Sequence, residues 1–268
     1  MTYDGDWRET FRPDIPSPAR IYDYLLGGKD NYPADRAVAE SMIAQLPNVR
    51  IAVHWNRAFL RRVVRYLVGE AGIRQVIDIG AGLPTAGNTH EIALETSPEA
   101  RVVYVDHDPV VLAHARNMLQ GVPGTAIIEQ DLLKPEDILA DSVLRGLIDF
   151  DQPTAFLFLS ILHFVSDEAD PAGLIARLLE PFPPGSHVAI SHATPDTVPE
   201  VNDVERVFDE ATQQAHVRSR DGVARLVAGM EIIEPGLVWP PEWRPESGDE
   251  IPANAAESYY CVVVAWKR

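Results

Sequence analysis

A short apolar segment that contains an aspartate and breaks into glycines constrains the fold of this chain most strongly. Residues 76–82 read Val-Ile-Asp-Ile-Gly-Ala-Gly. A short apolar run beside turn-forming residues is typical of a buried parallel strand, and two glycines separated by one residue let the backbone approach a ligand closely. A second run, residues 101–106, follows after one predicted crossover and also ends on an acid. Together the two runs predict the first βαβ unit of a nucleotide-binding sheet.

The next part of the chain alternates between predicted strands and helices. Strands are predicted at 76–80, 101–106, 125–130, 154–159 and 187–191, and helices between them at 89–96, 109–119, 135–144 and 170–182. The fourth strand is apolar on both faces, as a central strand of a parallel sheet is. The alternation predicts an α/β fold in which helices cover both faces of a mostly parallel sheet.

The first 75 residues contain no predicted strand. Apolar periodicity and helix-capping residues predict helices at 18–26, 33–46 and 48–68. We therefore expect a helical N-terminal cap, residues 1–75, in front of a nucleotide-binding domain, residues 76–268.

The last part of the chain completes the predicted sheet. Two helices, 199–213 and 221–228, precede two strands, 231–233 and 259–266, which brings the predicted number of strands to seven. If strand 231–233 is parallel to the first five, the loop 235–256 leaves the sheet edge at which open α/β sheets bind ligands. That loop is a candidate lid over the site, and the alternative is an ordinary surface loop.

The formal net charge of −17 argues against a nucleic acid as partner, because the field of the protein repels phosphates. Four arginines, at positions 57, 61, 62 and 65, fall in one predicted helix. We interpret them as the solvated face of that helix rather than as a basic patch for polyanions.

Several absences in the sequence predict a cytoplasmic protein. No apolar run approaches the roughly 18 residues of a membrane span, and the N-terminal residues lack the apolar core of a signal peptide. The single cysteine, Cys261, lies in an apolar segment and is interpreted as a small buried residue.

The glycine turn by itself does not decide which nucleotide binds. A dinucleotide fingerprint has a third glycine, but Thr85 stands at that position. Asp78, two residues before Gly80, would lie too close to a pyrophosphate, whereas it suits a ligand that carries a cation. S-adenosylmethionine has an ammonium and a sulfonium and no phosphate, so this carboxylate can bind the ammonium or organise water beside it. These two features favour S-adenosylmethionine over a nicotinamide dinucleotide.

Two further acids follow the same pattern. Asp106 ends the second strand and can accept hydrogen bonds from ribose hydroxyls, a role shared with NAD enzymes. Asp131 comes just past the third strand, where it can meet the exocyclic amine of adenine. A single acid at a strand end is often structural, but three at successive strand ends beside a glycine turn indicate a binding site.

The sequence resembles the actinobacterial family of S-adenosylmethionine-dependent methyltransferases first catalogued as a domain of unknown function. The resemblance rests on residues 18–32 (PARIYDYLLGGKDNY), 56–60 (NRAFL), 78–85 (DIGAGLPT) and 162–165 (LHFV). It spans nearly the whole chain, and the first of these segments is specific to the family. The resemblance implies a Rossmann-like class I methyltransferase fold with S-adenosylmethionine as cofactor, and it implies no particular methyl acceptor.

We assign the candidate site residues from these patterns together. The predicted cofactor-binding residues are Asp78, Gly80, Gly82, Asp106, His107, Asp131, Leu132, Ser160 and Asn31. The candidate catalytic residues are His163, near the end of the fourth strand, and Tyr22, on the N-terminal segment, although packing alone explains either. His192 is a weaker candidate of the same kind. The histidines show no metal-binding spacing, so no metal is predicted.

The sequence thus predicts a methyltransferase that acts on a small, neutral or cationic acceptor. Methyl transfer is an in-line displacement that chiefly requires alignment, so a general base is optional. Two alternatives remain open at this point: a protein that binds S-adenosylmethionine and signals without catalysis, and an NAD-dependent oxidoreductase.

Overall fold

The computed structural model of the chain describes residues 11–84, 87–197, 201, 214–247, 249 and 251–268. Thr85 and nearly all of the predicted helix 199–213 lie outside the described residues.

Among the described residues, seven strands form a single sheet. The strands are β1 (Gln75–Ile79), β2 (Arg101–Asp106), β3 (Thr125–Glu129), β4 (Ala155–Leu159), β5 (His187–Ala193), β6 (Glu231–Ile232) and β7 (Tyr260–Trp266). Their order across the sheet is β3-β2-β1-β4-β5-β7-β6. The first five strands are parallel, and β7 runs antiparallel between β5 and β6. The predicted mostly parallel seven-stranded sheet is confirmed.

The strand order places a crevice beside β1. The chain moves outward from β1 to β2 and β3 and then returns to the other side of β1 with β4. Open α/β sheets bind ligands at such a reversal, outside the carboxyl ends of the strands. The register pairs Ile79 with Val105 and Asp78 with Leu157, so the ends of these strands meet at one edge.

Helices cover both faces of the sheet, as predicted. They are α1 (Pro18–Leu25), α2 (Pro33–Gln45), α3 (Val49–Arg65), α4 (Thr89–Thr96), α5 (Pro109–Met118), α6 (Pro135–Ala140), α7 (Ser142–Leu147), α8 (Pro171–Leu179) and α9 (Arg220–Leu226). Side chains alternate between the two faces along each strand, so Ile77 packs in one core cluster and Val76 in the other. Cys261 is fully buried in the first cluster, which confirms its interpretation.

The N-terminal helices play two structural roles. Phe59 and Val63 of α3 pack in the same core cluster as Val76 and Val102, so α3 is part of the layer that covers the sheet. Helices α1 and α2 pack instead with one another and with Tyr260 in a separate cluster. The division of the chain at residue 75 stays a prediction, because α3 and the sheet share one core.

The segment 135–144 contains a break that the sequence reading missed. Helix α6 ends at Ala140, and the Asp141 side chain then accepts hydrogen bonds from the backbone N–H groups of Val143 and Leu144. An aspartate in this position caps the start of a new helix, α7.

The loop 235–256 packs on the outside of α3. Trp243 is fully buried against Phe59, with ring centroids 5.3 Å apart. Arg62 is also buried, donates to the Trp243 carbonyl at 2.9 Å and forms an ion pair with Asp249 at 3.2 Å. The interpretation of Arg62 as part of a solvated face is therefore wrong, since this side chain attaches the loop to α3.

None of the described helices has the combined length and apolar character that a membrane span needs.

Candidate functional site

A cavity of about 400 Å³ lies at the carboxyl edge of the strands, against α1 and α3. Most of the predicted site residues line it: Tyr22, Asp78, Gly80, Gly82, Asp106, His107, Asp131, Leu132, Ser160 and His163. No described residue of the loop 235–256 does so. The prediction of that loop as a lid is therefore wrong for the part that the structure describes, because it packs on α3 instead.

The glycine turn needs glycine for a steric and a conformational reason. Gly80 has a φ of +70°, and a Cβ atom there would lie 2.5 Å from Cγ1 of Ile161. Its N–H donates to the Val105 carbonyl at 2.8 Å, which extends the pairing of β1 and β2 into the turn. The turn therefore keeps its backbone exposed along the cavity, where a side chain has no room.

Asp78 is a buried carboxylate at the floor of the cavity. It is 6% exposed and accepts a hydrogen bond of 2.6 Å from the Thr89 hydroxyl, at the start of α4. Burial raises its pKa to about 6, while the Thr89 hydrogen bond and the charge of Arg57 oppose that rise. A cationic ligand group would favour the ionised form of this acid.

Asp106 is held by backbone amides on both of its oxygens. Oδ2 accepts from Gly82 N at 3.0 Å, and Oδ1 accepts from the N–H groups of His107 and Asp108 at 2.8 and 2.9 Å. Burial raises the pKa of Asp106, and these hydrogen bonds oppose the rise. The carboxylate is thus fixed in the cavity wall before any ligand arrives.

Asp131 is fixed in a similar way on the next strand. Its Oδ1 accepts from the Leu133 N–H at 2.9 Å in the turn after β3. Leu132 is buried beside it and belongs to the core cluster that also contains Ile79. The predicted series of acids therefore lies along one cavity.

Asn31 does not line the cavity, and its predicted direct contact with a cofactor is not supported by its position. Its Nδ2 donates instead to Oδ2 of Asp23 at 2.8 Å, and Asp23 does line the cavity. Gly28 lies directly beside this carboxylate, since a Cβ atom there would be 1.9 Å from Oδ1 of Asp23. The residues around Gly28 thus orient Asp23, a buried acid that the sequence reading did not select.

Hydrogen bonds attach the N-terminal segment to the sheet. The Ser17 hydroxyl donates to Oδ2 of Asp108 at 2.6 Å and so links the residue before α1 to the turn after β2. Arg20 and Asp35 form a buried ion pair at 2.8 Å, and Asp35 also accepts from the Ser17 N–H. These contacts fix α1 beside the cavity, and its role as a cap stays a prediction.

His163 lies in the turn after β4 and lines the cavity. It is 6% exposed and its Nδ1 has no hydrogen-bond partner. Burial, together with the charges of His192 and Arg218, lowers its pKa well below the ordinary value. The imidazole is therefore neutral, and it is a weak base.

Arg218 fixes the turn that carries His163. It donates to the carbonyls of Leu162 and Val165 and pairs with Asp167 at 2.7 Å. It also donates to Nε2 of His192 at 3.0 Å, while His192 Nδ1 is 2.7 Å from the Ala193 carbonyl. His192 does not line the cavity, so its candidacy as a catalytic residue is not supported.

Two tyrosines also line the cavity. The Tyr22 hydroxyl donates to the Val53 carbonyl at 3.2 Å and accepts from Nδ2 of Asn56 at 2.9 Å. Burial raises its pKa, so Tyr22 stays a neutral phenol. The Tyr260 hydroxyl lies 3.0 Å from Oγ of Ser160, whose φ of +61° is in the left-handed region. Strain of this kind in a non-glycine residue is concentrated at functional sites.

The polar residues of the cavity wall that sequence reading missed include Asp23, Asn56, Arg57 and Tyr260. A signal existed for two of them, because Asn56 and Arg57 follow Val53 on α3 by three and four residues and Leu60 follows in turn, which is one helical face. Tyr260 gave no such signal, since its contact with the site depends on the position of β7.

The cavity therefore has two chemically different walls. The sheet edge offers fixed carboxylates and exposed backbone at the glycine turn. The rest of the lining is mostly apolar, forms what we call the second wall, and includes Ile21, Leu25, Val53, Leu60, Phe164 and Val217. Such a cavity suits a ligand with donors and positive charge at one end and an apolar partner at the other.

Comparisons with known proteins place these features in context. A protein-family model described as S-adenosyl methyltransferase matches residues 7–267. A solved structure of a DUF574 family protein from Streptomyces avermitilis is 39% identical, with a TM-score of 0.93 over 96% of this chain and 100% of that one. A candidate methyltransferase from Thermobifida fusca is 35% identical, with a TM-score of 0.91 over the full length of both chains.

A curated relative shares only part of the sequence. Trans-aconitate 2-methyltransferase from Acidovorax sp. (strain JS42) is 27% identical over 123 residues, which are 44% of this chain. The chain spans 37% of the length of that relative.

Proposed function

We propose, from the premise that this chain belongs to the S-adenosyl methyltransferase family, that it transfers a methyl group to a small-molecule acceptor by in-line displacement. The family itself makes the protein an S-adenosylmethionine-dependent methyltransferase. It thereby disfavours a nicotinamide-dependent enzyme, and the transfer of labelled methyl groups described below distinguishes an enzyme from a non-catalytic regulator. The observation that supports a small-molecule acceptor is a cavity, against α1, whose lining combines an acidic part with a mostly apolar one.

The acidic wall fits the cofactor. Gly80 and Gly82 leave backbone exposed where a Cβ at Gly80 would have no space. In the proposed arrangement Asp78 faces the ammonium, Asp106 accepts from the ribose hydroxyls and Asp131 accepts from the adenine amine. When bound, S-adenosylmethionine supplies a methyl group activated by its sulfonium.

The second wall is the proposed acceptor site. Its apolar side chains exclude water, and its few polar groups, at Tyr22, His163 and Tyr260, fix the orientation of the acceptor. The main contribution of this chain is alignment, because holding donor and acceptor in register can supply most of the acceleration for a displacement. His163 is the proposed group that takes a proton where the acceptor nucleophile carries one.

The charge of the cavity favours a neutral or cationic acceptor. Five described aspartates line the cavity, at positions 23, 78, 106, 108 and 131. Among the described lining residues only Arg57 carries a permanent positive charge. Trans-aconitate, which names the Acidovorax relative, is a tricarboxylate and is not favoured here. The same field disfavours a nucleic acid as acceptor.

Transfer of a labelled methyl group tests the proposed acceptor class. The protein is incubated with S-adenosylmethionine labelled in its methyl group and an actinobacterial cell extract, which is then separated into a small-molecule filtrate and a macromolecular retentate. We expect label to appear in the filtrate with the wild-type protein and not with Asp106→Ala.

Two results would contradict the proposal. Label that appears only in the protein or nucleic-acid retentate would show that the acceptor is a macromolecule. Label that appears equally with wild type and Asp106→Ala would show that the transfer does not depend on this site.

A further inference from the structure

Asp23 of α1 is a buried acid to which the proposed function gives no role. It lines the cavity and is 3% exposed. Oδ2 accepts hydrogen bonds from the Asp30 N–H at 2.9 Å and from Nδ2 of Asn31 at 2.8 Å. Among the described residues, no N–H or O–H group donates to Oδ1 of Asp23. The protein therefore holds one oxygen of this carboxylate and leaves the other available to a ligand.

The carboxylate of Asp23 also forms no ion pair with a described residue. The buried Asp35, in contrast, pairs with Arg20 at 2.8 Å. A positive charge reaches Asp23 only through an amide, since Nη1 of Arg36 donates to Oδ1 of Asn31 at 3.0 Å and Asn31 donates to Asp23. A buried carboxylate with an unused acceptor oxygen favours a ligand that donates a hydrogen bond to it.

The loop after α1 packs directly on this carboxylate. A Cβ atom at Gly28 would lie 1.9 Å from Oδ1 of Asp23, so only glycine fits at this position. The Gly28 N–H donates to the Asp23 carbonyl at 2.8 Å, and the Gly28 carbonyl accepts from Nδ2 of Asn31 at 3.1 Å. The segment 18–32, on which the family resemblance rests most specifically, thus fixes Asp23 before any ligand binds.

Helix α1 places Asp23 near the part of the sheet edge that carries Asp106. Ala19, one helical turn before Asp23, packs with Leu83 and Val110. Leu83 directly follows the glycine turn, and Val110 lies in the first turn of α5, shortly after Asp106. Asp23 is therefore on the face of α1 that packs against the turns after β1 and β2.

Contacts on both sides of Asp23 along the chain lead to the same place. Before it, the Ser17 hydroxyl donates to Oδ2 of Asp108 at 2.6 Å. After it, Oδ2 of Asp30 lies 3.8 Å from Nδ1 of His114 on α5. The chain around Asp23 is thus attached twice to the turn after β2 and to the helix that follows it, which is the part of the site proposed to bind the ribose.

We propose that Asp23 accepts a hydrogen bond from a ribose hydroxyl of the cofactor, so that Asp23 and Asp106 together bind the ribose diol. The diol has two O–H donors on neighbouring carbons, and a hydrogen bond from a hydroxyl to a carboxylate is short and strong. This inference rests on the proposed function. It adds a cofactor-binding residue on α1 and gives Gly28 and Asn31 the role of positioning that residue.

Isothermal titration of Asp23→Asn with S-adenosylhomocysteine tests this role. The asparagine has the same shape, and it can direct its oxygen to the two N–H donors of the loop. It then presents an amide N–H group where Oδ1 would accept from the ligand. We expect the affinity for S-adenosylhomocysteine to fall about 30-fold. Asp14→Asn removes an exposed acid of the same N-terminal segment and should bind as wild type does.

The 2′-deoxy and 3′-deoxy analogues of S-adenosylhomocysteine show whether the loss concerns a hydroxyl. In the wild type, removal of either hydroxyl should weaken binding about 10-fold. In Asp23→Asn, removal of one of the two should weaken binding by less than about 2-fold, because the partner of that hydroxyl is already lost. A role of Asp23 in folding alone would weaken all three ligands by the same factor.

Asn31→Ala is a second variant, which keeps the carboxylate of Asp23 and removes one of its two donors. It should weaken S-adenosylhomocysteine about 3-fold. If Asp23→Asn does not fold, Asn31→Ala decides, and an unchanged affinity refutes the inference.

The outcomes distinguish this inference from the proposed function. If wild type binds S-adenosylhomocysteine and Asp23→Asn binds it equally well, or loses all three ligands to the same extent, the role of Asp23 is refuted and the proposed function stands. If wild type fails to bind S-adenosylhomocysteine, both are overturned.

Discussion

The two walls of the cavity differ in how their polar groups are held. On the wall proposed for the cofactor, Asp106 and Asp131 accept hydrogen bonds from backbone N–H groups within a few residues along the chain or in the adjacent turn. On the wall proposed for the acceptor, Tyr22 and Tyr260 make their polar contacts with residues 31 to 100 positions away. His163 has a buried Nδ1 without any partner.

This difference indicates that the two walls bind different kinds of ligand. Carboxylates that are already held in position suit a cofactor that is the same in every reaction, because they need not reorganise when the cofactor binds. An acceptor wall built from separate elements can be altered one side chain at a time without disturbing the glycine turn. Substitutions on the two walls should therefore have separable effects.

The largest effect is expected from a side chain in the glycine turn. Gly80→Ala places a Cβ 2.5 Å from Ile161 at a φ of +70°. Steric overlap and backbone strain together should lower the free energy of unfolding by about 4 kcal/mol, measured by urea denaturation.

Gly72→Ala is the matched control, because Gly72 also has a positive φ but no heavy atom lies within 4 Å of the Cβ position. Gly72→Ala should lower the free energy of unfolding by about 1 kcal/mol. Equal losses in the two variants would show that contact with Ile161 does not matter.

Asp106→Ala should weaken the binding of S-adenosylhomocysteine about 100-fold, because it removes charged hydrogen bonds on the cofactor wall. Isothermal titration measures the loss. Glu129→Gln, at the neighbouring paired position of β3 with a side chain that is 64% exposed, should bind as wild type does. An unchanged affinity in Asp106→Ala would refute the assignment of the ribose to this acid.

Asp78→Asn should stabilise the protein without ligand by about 2 kcal/mol at pH 7.5. Burial raises the pKa of Asp78 to about 6, so the folded protein binds this proton more tightly than the unfolded chain. The wild type therefore loses stability as pH rises from about 4 to about 6, and Asn removes that loss.

Urea denaturation at pH 7.5 and pH 4 measures whether Asp78→Asn raises the free energy of unfolding and over which pH range it does so. The gain should vanish at pH 4, where the wild-type carboxyl is protonated in the folded state. The exposed Asp151→Asn should change stability by less than about 0.5 kcal/mol at either pH. A stabilisation of Asp78→Asn that is the same at both pH values would argue against a buried charge as its cause.

The smallest effect is expected on the acceptor wall. His163→Gln should slow methyl transfer only about 10-fold, because burial lowers the pKa of His163 and makes it a weak base. The rate of label entry into the small-molecule filtrate measures this effect.

The same variant tests whether the two walls contribute separately to cofactor binding and to methyl transfer. The affinity of His163→Gln for S-adenosylhomocysteine should stay within about 2-fold of wild type, as should that of the exposed control His54→Gln. A large loss of cofactor affinity in His163→Gln would mean that the walls are not separable.

Local patterns in the sequence predicted that three acids lie at one edge of the sheet. The acids at 78, 106 and 131 each follow or end an apolar strand, and parallel strands bring such ends to one edge. The structure places all three on one cavity. The break at Asp141 was missed because the caps of short helices depend on the exact residue at which a turn starts.

The other wrong predictions have a common cause, which is that they depend on contacts that no local sequence pattern reveals. Arg62 was interpreted as solvated because it belongs to a run of arginines on one helix, yet it donates to the carbonyl of a loop residue 181 positions later. Asn31 was selected as a ligand-binding residue, but it acts on Asp23 through a side-chain contact that no periodicity reveals.

The sequence alone determined the α/β alternation, the glycine turn and the acidic strand ends, because each of these follows from residues close together in the chain. The tertiary structure alone decided which side chains meet across the cavity. In the folded chain Arg57 of α3 lies at the glycine turn and Tyr260 of β7 lies beside Ser160. The described part of the loop 235–256 does not line the cavity. Contacts of this kind depend on how whole helices and strands pack, and packing is a property of the assembled core rather than of any local segment.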